Sequence, residues 1–234
     1  MAPLAIHRVT ELDLNLRARR WPFAEQRRAD IDAHFAAAQR EKPVWNGRVL
    51  LGRDPVFTAE RFSARYFETD FASFLAWRDW GFPDKEVFNG FGMGALRCAD
   101  GAFVMGEMGQ HTANAGRIYF PSGTPDLDDI SDGTVDIAGS VAREVEEETG
   151  LSTADYSCDA HWDCVVSGAA VAMIKVLNVA LTGEALRARI EANLSRQHQP
   201  EFAALHLVRG TSDLTPAMPR FVTAFIEKQF AASP

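Results

Sequence analysis

The spacing of apolar residues changes period several times along the chain, and each change predicts an element. Over Phe23–Lys42 (FAEQRRADIDAHFAAAQREK), Ile31, Phe35 and Ala38 recur at helical spacing. KPVWNGRVLLG predicts a turn, signalled by Asn46-Gly47, that leads into a strand. A second short helix is predicted over Thr69–Gly81, where Phe71, Phe74, Leu75 and Trp77 form an aromatic packing face. GFPD at 81–84 reads as a boundary. Beyond it, FNGFGMGALR and AFVMGEM are strand candidates separated by CADG. Gly90, Gly92 and Gly94 occupy alternate positions, so one face of the first strand is bare and open to tight packing. The run is not a GxGxxG that opens a helix.

Further on, GRIYFPSGTPD predicts a strand running into a turn, followed by a helix over Ile137–Thr149. Strands are predicted near 160–167 and 170–181, a helix over Glu184–Arg196, a strand over Ala204–Gly210, and a C-terminal helix in PAMPRFVTAFIEKQF. The alternation His161, Asp163, Val165 against Trp162, Cys164, Val166 reads as a half-buried strand. AAVAMIKVLNVAL (Ala169–Leu181) is interrupted by Lys175 and Asn178 and is too short to span a bilayer as a helix. The order implies an α/β fold in which helices pack on a mixed sheet. The expected division is a small N-terminal α/β extension over 1–85 and a main domain over 86–234.

Composition sharpens this only in places. A chain of 234 residues, 47% hydrophobic, can bury a core without disulfides or a structural metal. Its three cysteines (Cys98, Cys158, Cys164) contain no CxxC pair, which argues against a zinc knuckle and fits a reducing cytoplasm. MAPLAIHRVT has no apolar stretch of signal-peptide length. The net charge is −8, and it is local. Residues 126–150 hold nine acids (Asp126, Asp128, Asp129, Asp132, Asp136, Glu144, Glu146, Glu147, Glu148) against Arg143, a difference of −8. The remainder is formally neutral, with no general reason to bind nucleic acid.

The acids culminate in REVEEETG, Arg143–Gly150. Asp136 is a good N-cap and Gly150 suits the left-handed position that ends a helix. Ile137, Val141 and Val145 form an apolar stripe. At ~100° per residue, Glu144, Glu147 and Glu148 share one sector while Glu146 points elsewhere. Arg143 can reach Glu147 at i+4. Glutamates near a helix C-terminus oppose the macrodipole, so clustering three of them calls for compensation. A divalent cation with oxygen preference, Mg²⁺ or Mn²⁺, supplies it. A purely solvated acidic face is the alternative. A structural calcium loop in DLDDISDG lacks the EF-hand spacing.

Arg143, Glu144, Val145, Glu147, Glu148, Gly150 and Leu151 match the second half of the Nudix box, G-x5-E-x7-R-E-U-x-E-E-x-G-U, and YFPSG resembles the FPGG turn that precedes it. The chain therefore resembles the Nudix hydrolase superfamily, which implies an α/β/α sandwich. The first half of the box departs from the pattern. Nineteen residues separate Gly123 from Arg143 where the box has 13, Val135 stands where the first glutamate is expected, and Asp136 follows it.

The resemblance implies metal-dependent hydrolysis of a nucleoside diphosphate linked to another moiety. Carried over, Glu144, Glu147 and Glu148 bind Mg²⁺ or Mn²⁺, with Glu144 also a candidate base. The Ser122 carbonyl completes the coordination and Arg143 orients the glutamates. Glu201 is the candidate for a further acid from a distant loop, and Arg117 and His111 are candidates for substrate binding. The N-terminal extension, glycine-rich strand, long loop and PVWNG resemble the layout of uridine diphosphate-sugar diphosphatases. The expected partner is a small molecule, not nucleic acid or membrane, and a homodimer is compatible. A non-catalytic nucleotide sensor on the same fold is the competing reading.

Overall fold

The structure, a computed structural model, describes residues 4–42 and 45–231. The chain runs β1 (Ala5–Val9), β2 (Glu11–Leu16), α1 (Pro22–Gln26), α2 (Arg28–Glu41), β3 (Arg48–Phe57), β4 (Arg61–Asp70), α3 (Phe71–Asp79), β5 (Val87–Arg97) and β6 (Phe103–Met108). It continues β7 (Ile118–Tyr119), β8 (Ser122–Gly123), β9 (Ile130–Ser131), β10 (Thr134–Val135), α4 (Ile137–Thr149), β11 (Tyr156–Ser167), β12 (Ala170–Val179), α5 (Gly183–Leu194), β13 (Phe202–Val208) and α6 (Arg220–Ala231).

The strands form one mixed sheet in the order β1-β11-β12-β5-β3-β4-β2-β10-β9, with β6, β13, β7 and β8 attached beside β5. The β12–β5 and β2–β4 pairs are parallel and the other pairs antiparallel. Helices α4 and α5 bury Ile137, Val141, Val145, Leu186 and Ile190 in a core on one face, and α6 buries Val222, Phe225 and Ile226 in a core on the other. The helix–sheet–helix layering matches the α/β/α arrangement expected from the sequence. A third core, with Trp21, Ile31, Phe35, Phe67 and Trp77, joins α1–α3 to the N-terminal strands.

Pairing crosses the boundary expected near residue 85. β1 adds to β11 over Ala5–Val9, β3 pairs with β5 at Gly52–Phe88 and Arg53–Val87, and β10 pairs with β2 at Thr134–Asn15. The long loop before α4 is thus a small hairpin, β9–β10, laid on the edge of the N-terminal strands.

Three local expectations need correcting. The helix over 23–42 is broken at Arg27 (φ −108°, ψ 15°) into α1 and α2. GRIYFPSG forms only the two-residue strands β7 and β8, because its backbone is shared between β6 and β5. The HWDC alternation does not divide a wet face from a dry one. Asp163 is buried and held by Lys228 Nζ at 2.6 Å, Gln229 Nε2 at 3.0 Å and Arg8 Nε at 3.2 Å. Those bonds tie α6 and β1 to β11. Of PVWNG, Pro43 and Val44 lie outside the described residues, while Asn46 Oδ1 accepts a hydrogen bond from the Ala72 N–H at 2.8 Å. Among the described residues no helix is long and apolar enough to cross a membrane.

The bare face of β5 is where α4 seats. A Cβ on Gly92 would lie 2.5 Å from Val141 Cγ2, and one on Gly94 would lie 2.5 Å from Val145 Cγ2. Both distances are below any real contact, so the helix rests on the strand backbone. Gly92→Ala and Gly94→Ala should each lower stability by ~1–3 kcal/mol through overpacking. Denaturant unfolding measures this, and stability within error of the parent for both would show that α4 does not depend on this contact.

Candidate active site

Helix α4 forms where the sequence places its caps. The Asp136 carboxylate accepts a hydrogen bond from the Gly139 N–H at 2.9 Å, and Gly150 closes the helix at φ 74°. Asp136 thereby acts as a cap, and a different acid meets Arg143. Asp129, from the lengthened loop, is buried, and Arg143 Nη2 donates to its two oxygens at 3.0 and 3.3 Å. Arg143 Nη1 donates to Glu144 Oε1 at 2.9 Å, whereas Glu147 Oε1 lies 3.8 Å away. The expected Arg143–Glu147 brace is therefore the weakest of the three contacts. Burial opposes the charge on Arg143, but Asp129 and Glu144 outweigh it and raise its pKa.

The three glutamates occupy different environments. Glu144 lies over Gly123, where a Cβ would come 2.3 Å from its Oε1. Glu148 is 4% exposed, and neither carboxylate oxygen has a hydrogen-bond partner. Glu147 is turned to solvent, its side chain 61% exposed, and Glu146 is exposed as expected. Among the described residues no three acidic, histidine or cysteine side chains are gathered into a ready cation site. Glu147 would join Glu144 and Glu148 there only in another rotamer, which its exposed position permits.

The electrostatics follow from this arrangement. Burial pushes the Glu144 carboxyl up to about 7; Arg143 opposes the shift, and Glu147, Glu201 and Asp129 add to it. Burial raises Glu148 well above the ordinary carboxylate range, reinforced by Glu144 and Glu201. The nearby Ser122 N–H works against that rise, but no hydrogen bond of ordinary geometry reaches either oxygen. A buried carboxylate without a partner is costly unless it takes a proton or a cation. The all-oxygen donor set suits a hard divalent cation. Glu144, Glu148, an inward-turned Glu147 and the Ser122 carbonyl are the groups that would hold it.

Glu201, just before β13, is exposed and within electrostatic range of Glu144 and Glu148, and its carbonyl accepts from the Gly109 N–H at 2.7 Å. Beside the turn lies a cavity of about 880 Å³, with Ser122, Gly123, Arg117 and Tyr119 in its wall. Tyr119 connects cavity and glutamates. Its hydroxyl accepts from Asn114 Nδ2 at 3.1 Å; burial raises its pKa, and the charges of Glu148, Glu201 and Glu144 add to the rise. His111 packs over Gly109 and does not line the cavity.

Sequence reading missed Asp129, Tyr119, Asn89 and Arg220. For Asp129 the signal was present: DLDDISDG carries an acid whose neighbours build a capped turn, Asp126 accepting from the Asp128 N–H and Asp129 from the Asp126 N–H. Arg220 and Asn89 reach the cavity wall only through tertiary packing.

No family model and no curated protein matches the chain. Among solved structures it is similar to RenU, a Nudix hydrolase from M. smegmatis (14% identity, TM-score 0.40, 63% of this chain and 91% of that one). It is also similar to a MutT protein from Methanosarcina mazei Go1 (17%, 0.38, 61% and 92%) and to a NUDIX hydrolase from Nitrosomonas europaea (15%, 0.32, 51% and 71%).

The raised carboxyl pKa values set a pH dependence for the metal-free protein. Below the ordinary glutamate value of about 4.5 both carboxyls are protonated, folded or unfolded, and contribute nothing. Above it the unfolded chain releases its protons first, while burial makes both carboxyls hold theirs longer in the folded protein, Glu144 until about pH 7. Stability should therefore fall as pH rises from about 5 through 7. At pH 8, Glu148→Gln should raise the melting temperature by a few degrees, on the order of 2–4 °C per kcal/mol. A melting temperature independent of pH in the parent, with no gain in the variant, would show that these carboxylates are already compensated.

Proposed function

We propose that this chain is a Nudix-type hydrolase that uses Mg²⁺ or Mn²⁺ to cleave the diphosphate of a nucleoside diphosphate derivative, giving a nucleoside monophosphate and a phosphorylated product. One observation carries the reading: Glu148 is buried with both oxygens unpartnered, one helical turn from Glu144. Such a pair lacks a structural use in the metal-free fold and suits a cation that neutralises the diphosphate and aligns the attacking water.

This chain's own groups supply the rest. Glu144, held by the Arg143 guanidinium at 2.9 Å, is the candidate general base. Arg143, held by buried Asp129, fixes the Glu144 carboxylate and keeps it over Gly123. Glu147 is the exposed ligand and Glu201 a further acid within electrostatic range of the pair. Arg117, in the cavity wall beside Ser122, is suited to a phosphate oxygen. The layout of the N-terminal region and long loop favours a UDP-sugar, which would yield UMP and a sugar 1-phosphate.

A nucleotide sensor that does not turn over its ligand is favoured by the outward pose of Glu147 and the absence of a gathered metal cluster among the described residues. Turnover separates the two readings. With magnesium and a panel of nucleoside diphosphate derivatives including UDP-sugars, at least one should give nucleoside monophosphate. Glu147→Gln, at an exposed position, should lower kcat/KM by ~100-fold or more without changing the melting temperature. Folded protein that binds panel members yet converts none would favour the sensor.

A further inference from the structure

Strand β5 has two unlike faces. Gly92 and Gly94 carry α4, while Asn89, Phe91 and Met93, at alternate positions, face the cavity. Met93 is in register with Ser122 on β8, so this row begins beside the turn under Glu144. At ~3.3 Å per residue it ends about 13 Å away at Asn89. At Asn89 the backbone of β5 pairs with β12 at Ala170, and the side chain stands off the sheet in the cavity wall.

Three features mark the cavity along this row as a built recess. Asn89 Oδ1 is buried and has no hydrogen-bond partner. Phe91 and Phe221, from β5 and α6, meet edge to face with ring centroids 5.5 Å apart, and both line the cavity. Arg117 and Arg220 also line it, and neither side chain makes an ion pair among the described residues. Apolar rings alone suit any hydrophobic group, and arginines alone suit any anion. Together with an unpartnered amide, whose oxygen and nitrogen can exchange places, they suit a ligand with a charged end and a flat ring that presents a hydrogen-bonding edge.

We propose that this recess is a nucleobase subsite: Asn89 hydrogen-bonds the edge of the base, Phe221 and Phe91 cover its ring, and Arg117 and Arg220 hold the phosphates that lead to the glutamates. The proposal rests on the hydrolase reading for the direction of the substrate, with the diphosphate at the Ser122 end and the base at the Asn89 end. Asn89 is then the specificity-determining residue, since a half-buried amide discriminates against ligands that leave it unpaired. Helix α6 serves as a wall of the subsite, pinned by Lys228 and Gln229 to Asp163.

The test is calorimetric titration of the magnesium-free protein with UMP, CMP, AMP, GMP and ribose 5-phosphate, which shares the phosphate and sugar but has no base. At least one nucleotide should bind tenfold or more tightly than ribose 5-phosphate. Asn89→Leu and Phe221→Ala, on separate elements and each checked for an unchanged melting profile, should abolish that preference while leaving ribose 5-phosphate affinity as in the parent. In turnover with the preferred substrate, both variants should raise KM tenfold or more with little change in kcat. Equal affinity for nucleotides and ribose 5-phosphate, or a base preference that survives both substitutions, overturns the subsite. Hydrolysis that persists at the parental KM in both variants removes the subsite and keeps the hydrolase. Base-dependent binding without turnover of any diphosphate keeps the subsite and removes the hydrolase.

Discussion

The seating of α4 on the glycine face of β5 is the contact on which the rest depends. With a side chain at Gly92 or Gly94, the helix or its valines would have to shift, since a Cβ at either position would lie only 2.5 Å from a Val141 or Val145 methyl. At this close approach the polar edge of α4 reaches the β8 turn, Glu144 meets the bare Cα of Gly123, and Glu148 sinks out of solvent. Three glycines on two strands thus convert an amphipathic helix with an acidic edge into a half-buried carboxylate site.

The same closeness creates the electrostatic problem that gives the site its chemistry. Glu144 and Glu148 are desolvated side by side, and only Glu144 has a cationic neighbour, Arg143. Arg143 is itself committed to Asp129. One guanidinium shared between two acids cannot also neutralise Glu148, so a charge deficit remains at the centre of the site. The long loop contributes here in an unexpected way: its β9–β10 hairpin anchors on β2 and delivers Asp129 to Arg143. The N-terminal strands therefore steady the glutamate helix through a loop that on sequence grounds looked merely enlarged.

Much of this was legible along the chain because local rules govern it. The caps of α4, its apolar stripe and the outward direction of Glu146 follow from helical geometry and short-range chemistry, and the alternating glycines announced a close approach. What escaped was what depends on distant pairing. Arg27 breaks the predicted helix before its apolar stripe begins, and Ile31, Phe35 and Ala38 all lie on α2. Asp163 has the alternation of an exposed strand residue, yet it is buried because α6 and β1 bring Lys228, Gln229 and Arg8 to it. Glu147 shares its sector with Glu144 and Glu148 on a helical wheel but stands in solvent, its side chain 61% exposed where Glu148 is buried. Asn89 has no local signal at all; it lines the cavity because β5 and α6 pack together, with Phe91 against Phe221 beside it.

The central claim is that the desolvated glutamates of α4 are completed by a divalent cation. Electron paramagnetic resonance of Mn²⁺ titrated into the metal-free protein at pH 7.5 tests it directly, because bound and free Mn²⁺ give separate signals and no turnover is needed. The account predicts saturable binding that Mg²⁺ displaces, lost in Glu148→Gln and weakened in Glu144→Gln. Mn²⁺ that stays free at every concentration, or binds the Glu148→Gln protein as well as the parent, would contradict it.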